Sequence, residues 1–207
     1  LTGHSIAYVP ILFGIAATAF SGRINLLVPV DFAHLSERAM LYVVFTSGEM
    51  IIAIASYFEG KVDIESIYFS LMAFLIVVGL FLSYGRIYDH IVDREQNSNG
   101  IGYILIHIFI IFFLNNITAA LEFMREAEVS LLPKIAFITL SIIMYYVFLF
   151  STRGYSKYKH KVSIKFYITL VVFAMIFAVL MMLLRTNMYI NIALTVAFVF
   201  SVFGVMY

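Results

Sequence analysis

One carboxylate, Glu49, lies near the centre of an otherwise apolar run, AMLYVVFTSGEMIIAIASYF, from Ala39 to Phe58. A helix of about 20 residues is about 30 Å long and can cross a bilayer. Glu49 would then lie about 15 Å from either aqueous phase, where an ionisable group costs at least ~2.5 kcal/mol unless it is paired, protonated or hydrated. Such a residue predicts a proton or cation site. The structural alternative is a neutral Glu49 that is hydrogen-bonded to Thr46 or Asn115 as a link between helices.

Other polar side chains align with this carboxylate in a helical projection. Tyr42, Thr46 and Glu49 share one face of the first run, and His107 and Asn115 share a face of a later one. Polar faces of membrane helices usually turn inward, so we expect these residues to form a common polar core around Glu49.

Further polar residues lie near the ends of the same runs. At one end they predict a cytoplasmic mouth, formed by His34, Glu37, Arg38, Arg86, Asp89 and Asp93. At the other end Glu122 predicts an outer mouth. Asp31, His34 and Glu37 recur every three residues and could together bind a divalent metal, but the start of an interfacial helix, with Ser36 as its cap, is the preferred interpretation. We predict no metal site.

The elements that position these residues follow from composition. The 207 residues are 63% hydrophobic and 12% charged, whereas soluble domains are about 25% charged. The apolar runs are continuous, which favours helices over an outer-membrane barrel. We predict an all-α, polytopic bundle, a single domain over 1–207, with about seven spans at 4–20, 39–58, 64–85, 100–121, 133–150, 165–184 and 189–206. The spans 39–58, 64–85 and 100–121 should enclose the polar core. The more apolar later spans should face lipid or the rest of a larger bundle, although Asn187, Asn191 and Thr195 could extend the polar interior from the last span.

Basic residues predict the orientation. Alternating the loops puts nine lysines and arginines on one side and four on the other. The nine-residue side should be cytoplasmic, which also makes the C-terminus cytoplasmic. The cluster from Arg153 to Lys161, RGYSKYKHK, lies on that side. It could hold anionic lipid headgroups, although an ordinary positive-inside loop is the preferred interpretation.

Several classes of function lack their motifs. There is no cysteine, no HExxH, no GxSxG and no phosphate-binding loop, so an enzyme is the less favoured class. The residues do not indicate a cofactor, and nothing supports nucleic-acid binding.

The segment from His34 to Met50, HLSERAMLYVVFTSGEM, resembles a signature of the bacterial low-temperature-requirement A membrane proteins, in which H-x-x-E-R leads into an apolar run ending in G-E. The resemblance continues through Tyr88 and Asp89 and through GYILIHI, which contains Tyr103 and His107. Two departures stand out: Ser47 replaces the usual leucine before G-E, and the family's first-half E-L-F-F-D-L-V-F helix is absent. The resemblance implies a bacterial inner-membrane protein and the C-terminal part of a longer chain.

Three classes of function stay open. A transporter or channel would move an ion, proton or small solute through the polar core. A membrane enzyme or lipid-handling protein would cluster its reactive groups near one interface, and a structural or sensory bundle would use Glu49 for packing. We favour transport, with the lipid bilayer and an unidentified solute as partners and a homo-oligomer as an open alternative.

Overall fold

Six long helices make up the computed structural model, which describes residues 13–14, 16–17, 30–58, 63–125, 130–157 and 164–206. They are α1 (Phe32–Ala55), α2 (Ile64–His90), α3 (Ile101–Arg125), α4 (Leu131–Ser151), α5 (Ile164–Leu183) and α6 (Met188–Val205). Short 3-10 turns follow α1 at Ser56–Phe58 and α4 at Thr152–Tyr155. All six helices are long and apolar enough to cross a membrane.

The predicted membrane bundle is therefore confirmed. Its span count differs, since the described residues give six spans, and the predicted span 4–20 lies almost entirely outside them. The ends of the helices follow local hydrogen bonds. The Asp31 carboxylate accepts from the His34 N–H at 3.1 Å, so α1 begins at Phe32, well before the predicted start at 39. Ser36 is not the cap, and its hydroxyl donates instead to the Ala33 carbonyl.

The helices pack in an order that differs from their order in the chain. Around the bundle, α1 packs on α3, α3 on α4, α4 on α5, α5 on α6, α6 on α2, and α2 on α1. The successive helices α2 and α3 are not packed side by side. One side of the bundle holds the starts of α1, α3 and α5, at Phe32, Ile101 and Ile164, and the end of α4, at Ser151. We name it the basic end, because Arg94, Arg153 and Lys157 lie there.

Apolar side chains fill the interior of this bundle. Those with at most 1% exposure come from all six helices, among them Val43, Met50, Ile76, Leu80, Ile110, Leu114, Ile117, Ile138, Ile142, Tyr145, Met181 and Val199. Tyr145 of α4 reaches across the interior and donates to the Leu80 carbonyl of α2 at 2.8 Å. The expectation that the later spans face lipid or a larger bundle agrees with α5, where only Phe177 and Met181 are buried. Helices α4 and α6 instead supply core residues, and in α6 Asn191 and Thr195 of the expected polar row are buried.

Candidate functional site

Glu49 lies on the outer surface of α1 rather than in the interior. The buried face of this helix carries Val43, Thr46 and Met50, whereas Tyr42 is 65% exposed. Glu49 follows Thr46 by three residues, a rotation of about 60°, which takes it past the edge of the contact with the bundle. The carboxylate therefore lies within the span, about 9 Å from the Ala55 end of α1, on a face that the described residues do not cover.

This face of α1 lies beside α3. Leu35 packs against Gly100 at the start of α3, where a Cβ on the glycine would overlap the leucine side chain. Tyr42 and Glu49 follow Leu35 at successive seven-residue intervals, so they keep to nearly the same flank with a drift of about 20° per interval. Glu49 therefore borders the contact between α1 and α3.

Asn115 lies on the exposed surface of α3. Phe113 of α3 stacks on Phe148 of α4, and Asn115, two residues later, is rotated by about 160° away from that contact. Asn115 lies about 22 Å along α3 from Gly100, and Glu49 lies about 21 Å along α1 from Leu35. The two side chains are therefore at nearly the same depth.

We name these exposed residues the outer seam: Arg38, Tyr42 and Glu49 of α1, with Asn115 and Glu122 of α3. The hydroxyl of Tyr57 donates to the Leu121 carbonyl at 2.8 Å and joins the two helices beside Glu122. The structure thus aligns several of the predicted residues, but along the outside of the bundle. The described residues do not form the predicted inward polar core around Glu49, since Tyr42, Glu49 and Asn115 are exposed.

Thr46 and His107 are buried as predicted, but each is satisfied locally. Thr46 donates to the Tyr42 carbonyl at 2.9 Å. His107 Nδ1 is 2.8 Å from the Tyr103 carbonyl, which can only accept, so Nδ1 carries the proton. Nε2 of the neutral ring then accepts from the Tyr84 hydroxyl at 2.9 Å. His107 therefore joins α3 to α2 and does not meet Glu49.

At the start of α1 the predicted mouth residues pair with one another. Arg38 Nε donates to His34 Nε2 at 3.0 Å, and His34 Nδ1 is 4.0 Å from a Glu37 carboxylate oxygen. Asp31 is engaged in the helix cap. Over the whole described part of the chain, no three His, Asp or Glu side chains are grouped to hold a metal ion. The alternative metal site at Asp31, His34 and Glu37 is therefore not formed.

The other predicted mouth residues lie around the end of α2. Arg86 and Asp89 line a cavity of about 360 Å³ between the ends of α1 and α2, together with Met40 and Tyr88. Asp93 lies in the loop that follows, where its carboxylate accepts from the Glu95 N–H at 3.2 Å. These residues share the basic end with His34, but they do not form one cluster with it.

A second polar cavity, which the sequence did not indicate, opens at the opposite end. It has a volume of about 670 Å³ and is lined by Asp63, Glu65, Asn187, Tyr189 and the 4%-exposed Lys134. Charges of both signs beside an amide and a phenol can hold a small polar solute. Lys134 follows Pro133 at the start of an apolar run and looks like an ordinary loop cation. Its burial depends on the neighbouring helices α2 and α6.

Comparison with known proteins gives one family. The family model for the bacterial low temperature requirement A protein (LtrA) matches residues 1–202. No curated protein matches the chain, and no solved structure does.

Proposed function

Because the chain belongs to the bacterial low temperature requirement A family and folds as a helical membrane bundle, we propose that it transports a proton, a cation or a small solute along the outer seam. The observation that carries the proposal is the exposure of Glu49 inside the membrane-spanning helix α1, nearly level with Asn115 of α3. A carboxylate against lipid at this depth is costly, so the seam needs water, a bound ion or another polar surface beside it.

The centre of the interior is mostly apolar in the part of the chain that the structure describes. Large apolar side chains with at most 1% exposure occupy its centre, among them Ile110, Leu114 and Ile138. Ions need a succession of polar groups or water across the hydrocarbon, because each unsatisfied polar group there costs several kcal/mol. The outer seam provides such a succession, with Arg38 toward one end, Glu49 and Asn115 at the centre and Glu122 toward the other.

The central pair has the chemistry of a reversible proton or cation site. An ionised Glu49 offers carboxylate oxygens to a cation, to which Asn115 adds its amide oxygen. A protonated Glu49 can instead donate a hydrogen bond to that oxygen. Exchange between these two states is a transport step that requires no change in the helices.

The same proposal includes the membrane and the orientation. Helical bundles belong to the bacterial inner membrane rather than to the outer one, which holds β-barrels. The excess of lysine and arginine at the basic end supports a cytoplasmic location for that end, and hence for the C-terminus.

The test is ion flux in liposomes that contain the protein. A pH-sensitive dye reports proton movement under an imposed membrane potential, and a second series with labelled sodium reports cation movement. The parent protein should conduct one of the two above empty liposomes, and Glu49→Gln should return that flux to the empty-liposome level. The matched control is Glu95→Gln, which removes an exposed carboxylate from a loop and should leave flux unchanged.

Two outcomes would overturn the proposal. If neither ion moves faster than in empty liposomes, the protein conducts neither protons nor sodium. If flux is equal in the parent and Glu49→Gln, Glu49 does not lie on the path. Helical content and gel-filtration elution, measured on the same samples, establish that each variant is folded.

A structural role for the seam is the second candidate, and the same exposure of Glu49 and Asn115 favours it. Amide and carboxyl groups at mid-membrane depth also join helices of neighbouring polypeptides, at about 0.6 kcal/mol per hydrogen bond. In that case Glu49→Gln should weaken assembly in a cross-linking assay. A pure transport role leaves assembly unchanged.

A further inference from the structure

A long apolar groove runs along the lipid-facing surface where α4, α5 and α6 meet. It has a volume of about 670 Å³, and its lining includes Ile143, Phe150, Tyr167, Ala178 and Phe198. This surface is separate from the outer seam, which lies on α1 and α3. The groove is therefore independent of the proposed transport path.

The length of the groove matches one leaflet of a bilayer. Along α5 its lining extends from Tyr167, near the basic end, to Ala178, a distance of about 16 Å. Half of the hydrocarbon thickness of a bilayer is about 15 Å. An acyl chain that enters at the basic end would thus be accommodated along its whole length.

Arg153 lies at the basic end of this groove. Its guanidinium carbon is 4.4 Å from the ring centroid of Phe166 and 5.7 Å from that of Phe150, which lines the groove. The Nε and Nη1 atoms are buried and have no hydrogen-bond partner among the described residues. Buried donors without a partner are costly, and the guanidinium of this partly exposed arginine matches the geometry of a phosphate.

The backbone that carries Arg153 is held in place. Tyr155 stacks on Phe32 with 5.5 Å between ring centroids, and its carbonyl accepts from the Asp93 N–H at 2.7 Å. The Lys157 N–H donates to the Ile91 carbonyl at 2.9 Å. These contacts fix the 3-10 turn after α4 to the loop after α2, so the position of Arg153 is set without any ligand.

From these observations we propose a binding site for an anionic glycerophospholipid. One acyl chain lies in the groove, and the headgroup phosphate accepts hydrogen bonds from the Arg153 guanidinium. The exposed Lys157 adds positive charge at the same end. The site distinguishes lipids by charge at the phosphate end and holds them by apolar contact along α5.

The chain has no tryptophan, so a single Tyr167→Trp substitution makes the groove fluorescent. The full chain is reconstituted with phosphatidylglycerol or phosphatidylcholine whose acyl chains carry bromine, which quenches a nearby indole. Phosphatidylglycerol should quench at lower mole fraction than phosphatidylcholine. Adding Arg153→Gln should reduce this preference about fivefold, the effect of one arginine at an anionic surface.

The matched control is Arg94→Gln, which removes an exposed cation from the same end of the bundle. Arg94 lies over the ring of Tyr88, away from the groove. This variant should keep the full preference for phosphatidylglycerol. An equal loss in both variants would mean that only general surface charge attracts the lipid, and no loss with Arg153→Gln would remove Arg153 from the site. Either result overturns the proposal.

Two further measurements test the lipid itself. Inorganic phosphate should not reduce the preference, whereas competition by phosphate would indicate a site for a free anion and overturn the lipid assignment. Ala174→Phe fills the groove and should weaken quenching by both lipids, while Ile168→Phe adds the same ring outside its lining. Equal quenching in these two variants, once both are shown to be folded by gel filtration, would contradict binding of an acyl chain.

Discussion

Replacing Gly79 with alanine tests the packing of α2 against α6. A Cβ built on Gly79 would overlap Cγ1 of Val199 on α6, whereas a Cβ on Gly85, six residues further along α2, has no atom within 4 Å. Both glycines lie within the same helix. Comparing Gly79→Ala with Gly85→Ala therefore separates the effect of crowding between helices from the intrinsic preference of a helix for alanine over glycine.

The expected magnitudes follow from two opposing effects. Alanine in place of a helical glycine stabilises by about 0.8–1.0 kcal/mol, and this term is common to both sites. Overpacking of a close contact costs about 1–3 kcal/mol and applies only at Gly79, because Val199 is β-branched and cannot turn away easily. Gly85→Ala should therefore be more stable than Gly79→Ala by about 1–3 kcal/mol.

The assay is unfolding of the purified protein in mixed micelles of increasing sodium dodecyl sulfate content, followed by circular dichroism. The free energies of unfolding of the parent and both variants are compared at one detergent composition. If Gly79→Ala were as stable as Gly85→Ala, the close contact between α2 and α6 would be absent in the protein in solution. The packing order that places α6 beside α2 would then be refuted.

Two further substitutions test single contacts with the same unfolding assay. His107→Leu should destabilise by about 1–3 kcal/mol, because the buried Tyr84 hydroxyl loses its partner at 2.9 Å, and no change would mean that another group satisfies that hydroxyl. Gly100→Ala should destabilise by about 1–2 kcal/mol or more, because Gly100 has φ +67° and Leu35 occupies the space of a Cβ. A neutral result there would contradict the close contact between the starts of α1 and α3.

Sequence patterns predicted the six described helices well, because bilayer thickness sets their length and apolar composition marks their extent. The predicted spans 165–184 and 189–206 differ by one residue at each end from α5 and α6. The start of α1 was missed by seven residues. The segment DFAHLSER is typical of the start of an interfacial helix with Ser36 as its cap, whereas in the structure Asp31 caps α1, which continues from Phe32 into the span.

The direction in which the polar faces point could not be predicted in the same way. Thr46 and Glu49 share a stripe in projection, yet one is buried and the other is exposed. Periodicity shows which residues share a face, but the neighbours of that face depend on the packing order of the helices. The rule that polar faces turn inward failed for Glu49, because the face of α1 that packs on the bundle carries Val43, Thr46 and Met50 instead.

The surroundings of Lys134 and Arg153 also could not be predicted from the sequence. Both look like ordinary loop cations, and both gain their significance from residues far away in the chain. Lys134 is buried in a cavity that includes Asn187, and Arg153 stacks on Phe166. Only the folded arrangement brings these partners together.

The position of α2 between α1 and α6 has a consequence for biosynthesis. The last residue of α2 is His90, and α6 begins at Met188, so about a hundred residues are made between them. At about 5–20 residues per second, the Gly79 face of α2 waits roughly 5–20 s for its partner helix. During that interval the growing chain must hold this narrow face against lipid or against the insertion machinery. Of the six described helices, the last to be synthesised is the one that closes the bundle.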